Sequence, residues 1–486
     1  MEGTQLKEED EATYLGITFD KRQTWKPHIS RIEGTARRKL ALMRKLAGTT
    51  WGANEQILKT IYQGTVRPTM EYSSAAWSTT AKTNQQALDK VQNQALRIIT
   101  GATKSTPIAF MEKLTGIQPL HERRQTKVLL QAEKFKSLPD HPIKARLTEG
   151  TKNRLKRGSF VHQVKTLNRQ FAQQLDTQTT PLSSEDIVNP TANDLSKVQI
   201  RLTVPLLDSE AQNEILKRSH TLAMINEDFP SDLWTHVYTD GSATRAVEDG
   251  GAGILIRYPS GRNETHFMAT GKRCSNYKAE TEALIKAASM IENSPEDTTS
   301  VVFLTGARSV LEALTNNTSP KLAKLMTRLS NNLNIALQWI PAHCGVSGNE
   351  EADQLAKQGA KTEQPNTQVT YREKVSIIKA ITRPQQEQDA YHLLNRAEQV
   401  VMVRLRSGHN RLNAHLYRKY KLVPSPLCPC GEEEQTAEHV LQRCKRHDQE
   451  RAAEWSEDTT LNRKLYGGLE DLRRTTTFIA ETGMIV

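Results

Sequence analysis

The stretch Leu233–Ser242, LWTHVYTDGS, decides the fold of this chain. Its β-branched and aromatic centre, Val237–Thr239, predicts a strand, and Asp240 with the following glycine stands where that strand opens into a turn. Ile254–Arg257 and Thr265–Ala269 predict two further strands, each bounded by a turn that contains glycine. The sequence therefore predicts a sheet that starts with three consecutive strands and carries a carboxylate at the end of the first.

Helices and strands alternate after this point. The apolar periodicity predicts two strands and four helices: Val301–Leu304 and Ile335–Ile340, and Asn276–Ile291, Arg308–Leu314, Lys321–Leu329 and Asn349–Gln358. Three strands followed by alternating helix and strand indicate an α/β domain with a mixed sheet and covering helices.

Length and composition limit the remaining choices. The 486 residues suggest about three domains. Five cysteines exclude a disulfide scaffold and favour a reducing compartment. A membrane protein is not expected, because the chain contains no apolar run of about 18 residues. The acidic, polar first residues do not suggest a secretory signal, so we expect an intracellular protein.

The positive charge is concentrated in the front of the chain. The net charge is +11, but Lys21–Arg169 holds 29 basic and 9 acidic residues, whereas Asp232–Lys361 holds 13 basic and 14 acidic residues. A basic front suggests a surface that grips nucleic acid, and a solvated helical surface is the alternative. The cluster KNRLKR at 152–157 could be a nuclear address, a nucleic-acid contact or part of a solvated linker.

We divide the chain into four segments: 1–135, 136–231, 232–361 and 362–486. The first is predicted to be helical after a disordered start at 1–12, with helices at Ser30–Ala47, Glu55–Val66, Thr83–Ile99 and Leu120–Phe135 and an interruption at Pro68. The second is polar and only weakly periodic, which predicts a linker. The third holds the α/β domain, and the last is predicted to be a helical tail.

Three carboxylates and a histidine of the α/β segment could form one site. Glu280 shares a helical stripe with Leu284, Ala287 and Ile291, so it points toward the sheet, where a carboxylate is costly unless it is paired or binds a metal. Asp353 follows a glycine-rich loop that contains His343, and Asn349 is a plausible N-cap of its helix. Each residue alone would more often be an ordinary surface or packing residue.

The order of these residues suits phosphodiester hydrolysis with two divalent ions. Two Mg²⁺ or Mn²⁺ ions roughly 4 Å apart activate a water and stabilise the leaving oxygen. Such hard cations prefer carboxylate oxygens, and a histidine on a mobile loop can carry a proton.

These motifs resemble the RNase H domain, in the form found near the end of non-LTR retrotransposon polyproteins. The resemblance covers about 130 residues and rests on YTDGS, NYKAETEAL, FLTGARSVLEAL and WIPAHCGVSGNEEAD. It implies that Asp240 bridges both metals, that Glu280 and Asp353 each bind one, and that His343 assists product release or proton transfer. It also implies substrate contacts at Ser242, Asn276 and Arg308.

One position departs from the family pattern. Family members carry Asp at the end of the fourth strand, where this chain has Gly306. The resemblance therefore implies a ribonuclease acting on RNA–DNA hybrids whose activity is impaired. The alternatives are a protein that binds hybrid without cutting it, and a remnant of a mobile element with no selected role.

The front resembles the end of a reverse transcriptase palm running into its thumb. The matching motifs are YLGI at 14–17, WKPHI at 25–29, VRP at 66–68 and VQNQALR at 91–97. The resemblance implies a template–primer and an element-encoded reverse transcriptase as partners. No DNA synthesis is expected, because the chain contains no Asp-Asp pair. A structural helical bundle is the alternative.

The tail contains Cys428, Cys430, His439 and Cys444, a set that could bind one Zn²⁺ tetrahedrally. The spacing of the first two cysteines is tighter than usual for zinc, so free cysteines packed in a small helical tail are the alternative. Similar clusters end the retrotransposon polyproteins, which favours zinc.

Overall fold

The computed structural model describes residues 8–149, 158–180, 194–207, 213–244, 247–383 and 389–486. The chain folds into two compact units. The first consists of residues 1–128, 153–163 and 382–486, and the second of residues 129–152 and 164–381. The basic cluster at 152–157 lies outside the described residues. Within the part of the chain that is described, no helix is long and apolar enough to cross a bilayer.

The described residues form eight strands of at least four residues. In chain order they are β1 Glu11–Tyr14, β2 Ile17–Asp20, β3 Val198–Arg201, β4 Thr235–Thr244, β5 Glu248–Arg257, β6 Asn263–Arg273, β7 Ser300–Thr305 and β8 Asn334–Trp339. β1 and β2 form an antiparallel hairpin, and the other six form one sheet in the order β3-β8-β7-β4-β5-β6. β3, β8, β7 and β4 run parallel to one another, whereas β5 is antiparallel to both β4 and β6.

The α-helices follow the same numbering. They are α1 Lys26–Arg44, α2 Glu55–Ile61, α3 Arg67–Glu71, α4 Ser74–Trp77, α5 Lys82–Thr100, α6 Ile108–Thr115, α7 Leu120–Ser137, α8 Lys144–Glu149, α9 Phe160–Gln170, α10 Glu214–Asp228, α11 Asn276–Glu292, α12 Arg308–Thr315, α13 Pro320–Leu329, α14 Ser347–Lys361, α15 Tyr371–Ile381, α16 Arg396–Ser407, α17 Asn413–His415, α18 Ala437–Gln442, α19 Asp448–Glu454, α20 Leu461–Tyr466 and α21 Leu469–Glu481.

The six-stranded sheet carries helices on both faces. Alternate residues of β4 point to opposite faces, so Val237 packs in a core with Leu284 of α11 and Met326 of α13. Tyr238 packs in a second core with Ile225 of α10 and Ala352 of α14. This mixed α/β architecture confirms the predicted fold class.

The segment predicted to be a linker contributes to this sheet. β3 pairs with β8, and Met224 and Ile225 of α10 are buried against the sheet, so the interpretation of 136–231 as a linker was wrong for these parts. β3 has only four residues, too few for their alternation of apolar and polar side chains to indicate a strand or its distant partner. Glu11 and Ala12, at the end of the stretch 1–12 that was expected to be disordered, belong to β1.

Helical structure in the first unit continues past Pro68. A π-helix over Tyr62–Val66 joins α2 to α3, and Pro68 lies in the first turn of α3. Proline lacks the N–H that an α-helical bond to residue 64 would need, and the wider π turn accommodates that loss. The predicted interruption is therefore a change of helical register.

Segments from both ends of the chain build the first unit. Arg396 of α16 is buried, and its guanidinium donates to the carbonyl oxygens of Gly48 and Ile98 at 3.0 and 2.8 Å. Glu55 is also buried, and its Oε2 lies 2.9 Å from Nδ1 of His392. The division into four segments remains a prediction.

Candidate active site

The parallel strands bring two of the predicted positions to one edge of the sheet. β4 and β7 run parallel with Thr239 opposite Thr305, so Asp240 and Gly306 each follow the last residue of this pairing. The carboxyl edge of parallel strands is where α/β proteins place their ligands. A side chain at 306 would therefore stand beside the Asp240 carboxylate.

Close backbone approaches position the other two carboxylates. A Cβ at Gly241 would lie 2.2 Å from the backbone nitrogen of Glu280, so only glycine lets α11 come this near to β4. A Cβ at Gly253 would lie 2.0 Å from the carbonyl oxygen of Ala352, which brings α14 equally near to β5. Glu280 lies on α11 and Asp353 on α14, so the close packing of these two helices places both carboxylates near Asp240. Asp353 is seven residues into α14, and Asn349 lies inside that helix, so the prediction of Asn349 as the N-cap was wrong.

The three carboxylates repel one another in this arrangement. Burial, the negative charge of Asp353 and a hydrogen bond with Asp353 raise the pKa of Asp240 to about 7. Burial first, and then the charges of Asp240 and Asp353, raise the pKa of Glu280 well above its ordinary value. The backbone N–H of Gly241 donates to both Asp240 and Glu280 and partly offsets these effects. Lys357 Nζ donates to Asp353 Oδ2 at 2.6 Å.

The donor set fits a divalent cation. Glu280 Oε2 is buried and has no hydrogen-bond partner among the described residues. An unpartnered carboxylate oxygen beside two further carboxylates is costly without a cation. Asp240, Glu280 and Asp353 together therefore offer the oxygen ligands that Mg²⁺ or Mn²⁺ prefers.

His343 lies at the open side of this cluster. It is exposed, and its backbone φ of 55° lies in the left-handed region. Ligand atoms of His343, Glu350 and Asp353 lie within 4.8 Å of one another. Sequence reasoning missed Glu350, although its position three residues before Asp353 on a helix would have put both on one face.

The predicted substrate-contacting residues are spread around the same edge. Ser242 is half-buried on β4, and Asn276 is the exposed first residue of α11. The exposed Arg308 lies over the ring of Trp339 at 5.9 Å and pairs with Glu312 at 3.0 Å. Trp339 Nε1 in turn donates to the carbonyl oxygen of Gly306 at 3.3 Å.

The four predicted zinc ligands converge in the first unit. Their ligand atoms all lie within 4.8 Å of one another. Cys428 Sγ is 3.6 Å from Cys444 Sγ, and Cys430 Sγ is 3.3 Å from His439 Nε2. With metal–ligand bonds of about 2.3 Å to sulfur and about 2.0 Å to nitrogen, the edges of a tetrahedron are of this length.

The surroundings of the four ligands also suit a metal. The backbone N–H of Glu432 is the main cause that lowers the pKa of the Cys430 thiol to about 7, which favours the thiolate that metals bind. Glu433 Oε2 lies 3.3 Å from His439 Nδ1, where it can orient the ring. The geometry satisfies the donor requirement of a structural zinc site.

Residues 234–361 match the family described as RNase H. Among solved structures, RNase H1 from the halophilic archaeon Halobacterium salinarum is 22% identical with a TM-score of 0.22, and the alignment covers 26% of this chain and 96% of that one. The N-terminal RNase H domain of a Mycobacterium tuberculosis protein, fused to maltose-binding protein, is 19% identical with a TM-score of 0.22, over 26% and 94% of the two chains. The family match confirms an RNase H domain in this region and supports cleavage or binding of RNA–DNA hybrids at the level of the family.

Proposed function

We propose that this protein is an RNase H-type endoribonuclease for RNA–DNA hybrids, of retrotransposon origin, whose cleavage is impaired. One observation carries the proposal: Asp240, Glu280 and Asp353, in the region matched to the family, lie near enough to one another to raise the pKa values of Asp240 and Glu280, and Glu280 Oε2 is buried with no hydrogen-bond partner among the described residues. Such a constellation is costly in a purely structural role, so it supports a metal-dependent site.

Asp240, Glu280 and Asp353 would hold Mg²⁺ or Mn²⁺. When bound, the ions supply activation of the attacking water and stabilisation of the leaving oxygen. His343 is exposed beside Asp353 and Glu350 and would move a proton or help the product leave. Ser242, Asn276 and Arg308 would contact the hybrid backbone.

Gly306 is the reason to expect impairment. It stands beside Asp240 at the end of β7, where the family pattern has a fourth carboxylate, and glycine offers no side-chain oxygen. The alternative function is a domain that holds hybrid without cutting it. The same observation favours both, because losing one metal ligand lowers catalysis without removing the substrate surface.

The decisive experiment compares hybrid cleavage by the native chain, Gly306→Asp and Gly306→Asn with Mg²⁺ present. A Cβ at 306 would lie 3.3 Å from Ala342 Cβ, so both side chains enter with only a small shift. We expect Gly306→Asp to cut much faster than the native chain and Gly306→Asn to gain nothing. Equal rates for the native chain and Gly306→Asp would refute the impairment.

Binding separates the two functions. If the native chain binds hybrid more tightly than duplex DNA but does not cut it, while Gly306→Asp cuts it, the chain is a binding remnant. If neither variant cuts nor prefers hybrid, both proposals fail. Asp240→Asn in the Gly306→Asp background is the control for contaminating nuclease, since it removes the central carboxylate.

We further propose that the front derives from a reverse transcriptase palm end and thumb, with a template–primer or an element-encoded polymerase as partner. Two of the matching motifs support this proposal by their helical setting: WKPHI lies at the start of α1, and VQNQALR lies in α5. We also propose that the tail cluster holds one structural Zn²⁺, supported by the converging ligand atoms.

A further inference from the structure

Two adjoining cavities lie in the first unit, apart from the carboxylate site. One, of about 380 Å³, is lined by residues that include Arg418 and Lys419. The other, of about 300 Å³, is lined by residues that include Lys104, Arg404 and Arg411. Asn410 and His415 line both cavities, and neither is lined by an Asp or a Glu. The two cavities therefore meet at Asn410 and His415, and we call their combined lining, with its five cations, the basic groove.

Three of the cations are available to a ligand. Arg418 pairs with Glu434, and Arg404 donates to the carbonyl oxygens of Gly101 and Val486. In contrast, Lys104, Arg411 and Lys419 have no carboxylate within salt-bridge distance among the described residues. Arg411 and Lys419 are also exposed. Like charges kept together without counter-charges are unfavourable unless an anion neutralises them.

A hydrogen-bond chain holds the two walls of the groove together. His415 Nδ1 donates to the carbonyl oxygen of Asn410 at 2.6 Å, so in its neutral form Nε2 accepts from the Ser105 hydroxyl at 3.0 Å. Ser105 Oγ then accepts from His409 Nδ1 at 3.0 Å. This chain joins the loop after α5 to the loop after α16. The cations therefore stand on a fixed scaffold.

Aromatic groups accompany the cations. Tyr420 is 40% exposed and packs edge-on against His415 with ring centroids 5.6 Å apart. Lys421 lies over the ring of Tyr417 at 4.2 Å. Both tyrosines belong to a π-helix, Leu416–Tyr420, an irregularity that is frequent at functional sites. Cations along a groove beside an exposed ring are the pattern that grips single-stranded nucleic acid.

We propose that the basic groove binds the phosphate backbone of a single nucleic-acid strand, with a base against Tyr420. The group that the cations would recognise is a phosphate, which could belong to a nucleic-acid strand or be a free phosphate ion. The strand is favoured because the cations line two adjoining cavities, whereas a single phosphate calls for donors that converge on one point. The proposal is independent of the nuclease function, since the carboxylate site contributes no residue.

The test measures anisotropy of a labelled oligothymidine with the full chain at several salt concentrations. For Arg411→Ala we expect about tenfold weaker binding, and a slope of log K against log salt smaller by about 0.7, the value for one phosphate contact in a single strand. Arg473→Ala, an exposed arginine on α21, is the matched control and should change neither. Circular dichroism checks that both variants fold.

Two further experiments, calorimetry and photo-crosslinking, decide whether the bound phosphate belongs to a strand and where the strand binds. Calorimetry with inorganic phosphate should give little heat. If phosphate binding depends on Arg411 while oligonucleotide binding does not, the ligand of the groove is a free phosphate and the proposal of a nucleic-acid strand is overturned. Photo-crosslinking with a 4-thiothymidine oligonucleotide should label Tyr417 or Tyr420. Labelling only outside the residues that line the groove (103–104, 404–422 and 435–437), or equal losses in Arg411→Ala and Arg473→Ala, would overturn the proposal.

Discussion

Asp240 and Gly306 occupy equivalent places on neighbouring parallel strands, each one residue beyond the paired Thr239 and Thr305. The first is a buried carboxylate and the second has no side chain. At the metal site proposed here, β4 thus supplies a carboxylate ligand, whereas the neighbouring position after β7 supplies none. This asymmetry leads to a prediction about metal affinity that does not depend on turnover.

We predict that Gly306→Asp binds Mg²⁺ about tenfold more tightly than the native chain, because a further carboxylate completes the oxygen ligand set. Isothermal calorimetry without nucleic acid measures this directly. Gly306→Asn has the same size but no charge, and it should stay within about twofold of the native affinity. A native affinity as tight as that of Gly306→Asp would show that residue 306 is not a ligand position.

The free energy of unfolding should depend on pH through Asp240. Its pKa is raised to about 7, whereas the unfolded chain titrates near 3.8. Between these values the folded protein keeps a proton that the unfolded chain has lost, so stability falls as the pH rises through this window. In the presence of a chelator we expect a lower Tm at about pH 8 than at about pH 5.

Asp240→Asn should reduce this pH dependence, although Glu280 retains a part of it. Asp458→Asn changes an exposed carboxylate of the other unit and should leave it unchanged. Thermal melts of the three proteins across pH supply the comparison. Identical slopes for the native chain and Asp240→Asn would show that the pKa of Asp240 is not raised in the folded protein.

Zinc should be present at one ion per chain and should be lost with its ligands. We predict that Cys428→Ser abolishes bound zinc and lowers the Tm of the first unit, because structural zinc contributes directly to folding. Cys274→Ser replaces a buried cysteine that is distant in sequence from the cluster, and it should keep the zinc. Metal analysis of the purified proteins decides; zinc below about one tenth of an ion per native chain would contradict the site.

The contact between β4 and α11 should tolerate no side chain at residue 241. A methyl group there would meet the backbone of Glu280, so Gly241→Ala should destabilise the second unit by about 3 kcal/mol or more. Gly64→Ala is the control, because no atom lies within 4 Å of a Cβ at that glycine. Urea unfolding of both variants gives the comparison. A loss below about 1 kcal/mol in Gly241→Ala would mean that the helix can move away.

The features that could be predicted from the sequence are those that depend on residues close together along the chain. The four helices predicted between residues 276 and 358 were confirmed within three residues of their ends, because their apolar stripes follow the helical period. The family match confirmed the RNase H domain that the motifs around Asp240 and Asp353 indicated. The strands lie where they were predicted, but β4 continues to Thr244, so the prediction that Asp240 ends the first strand was wrong: it lies within the strand and pairs with Gly253.

The missed features depend on contacts between distant residues. β3 pairs with β8 across more than one hundred residues, whereas Glu350, three residues before Asp353 on one helix, is the exception that had a local signal. The basic groove combines Lys104 with Arg411, which are about three hundred residues apart. No pattern along the chain records such proximity, because it arises when the units fold.

The edge strand β3 also determines where this domain can be cut. Val198–Arg201 pairs with Val198 opposite Ile335 and covers the outer side of β8. A fragment that begins at the family boundary near residue 234 would expose the polar backbone groups along one side of β8, a mainly apolar strand. Such bare edges pair with other chains and promote aggregation. We therefore expect a fragment of the nuclease-like domain that begins ahead of Val198 to stay soluble more readily than one that begins near residue 234.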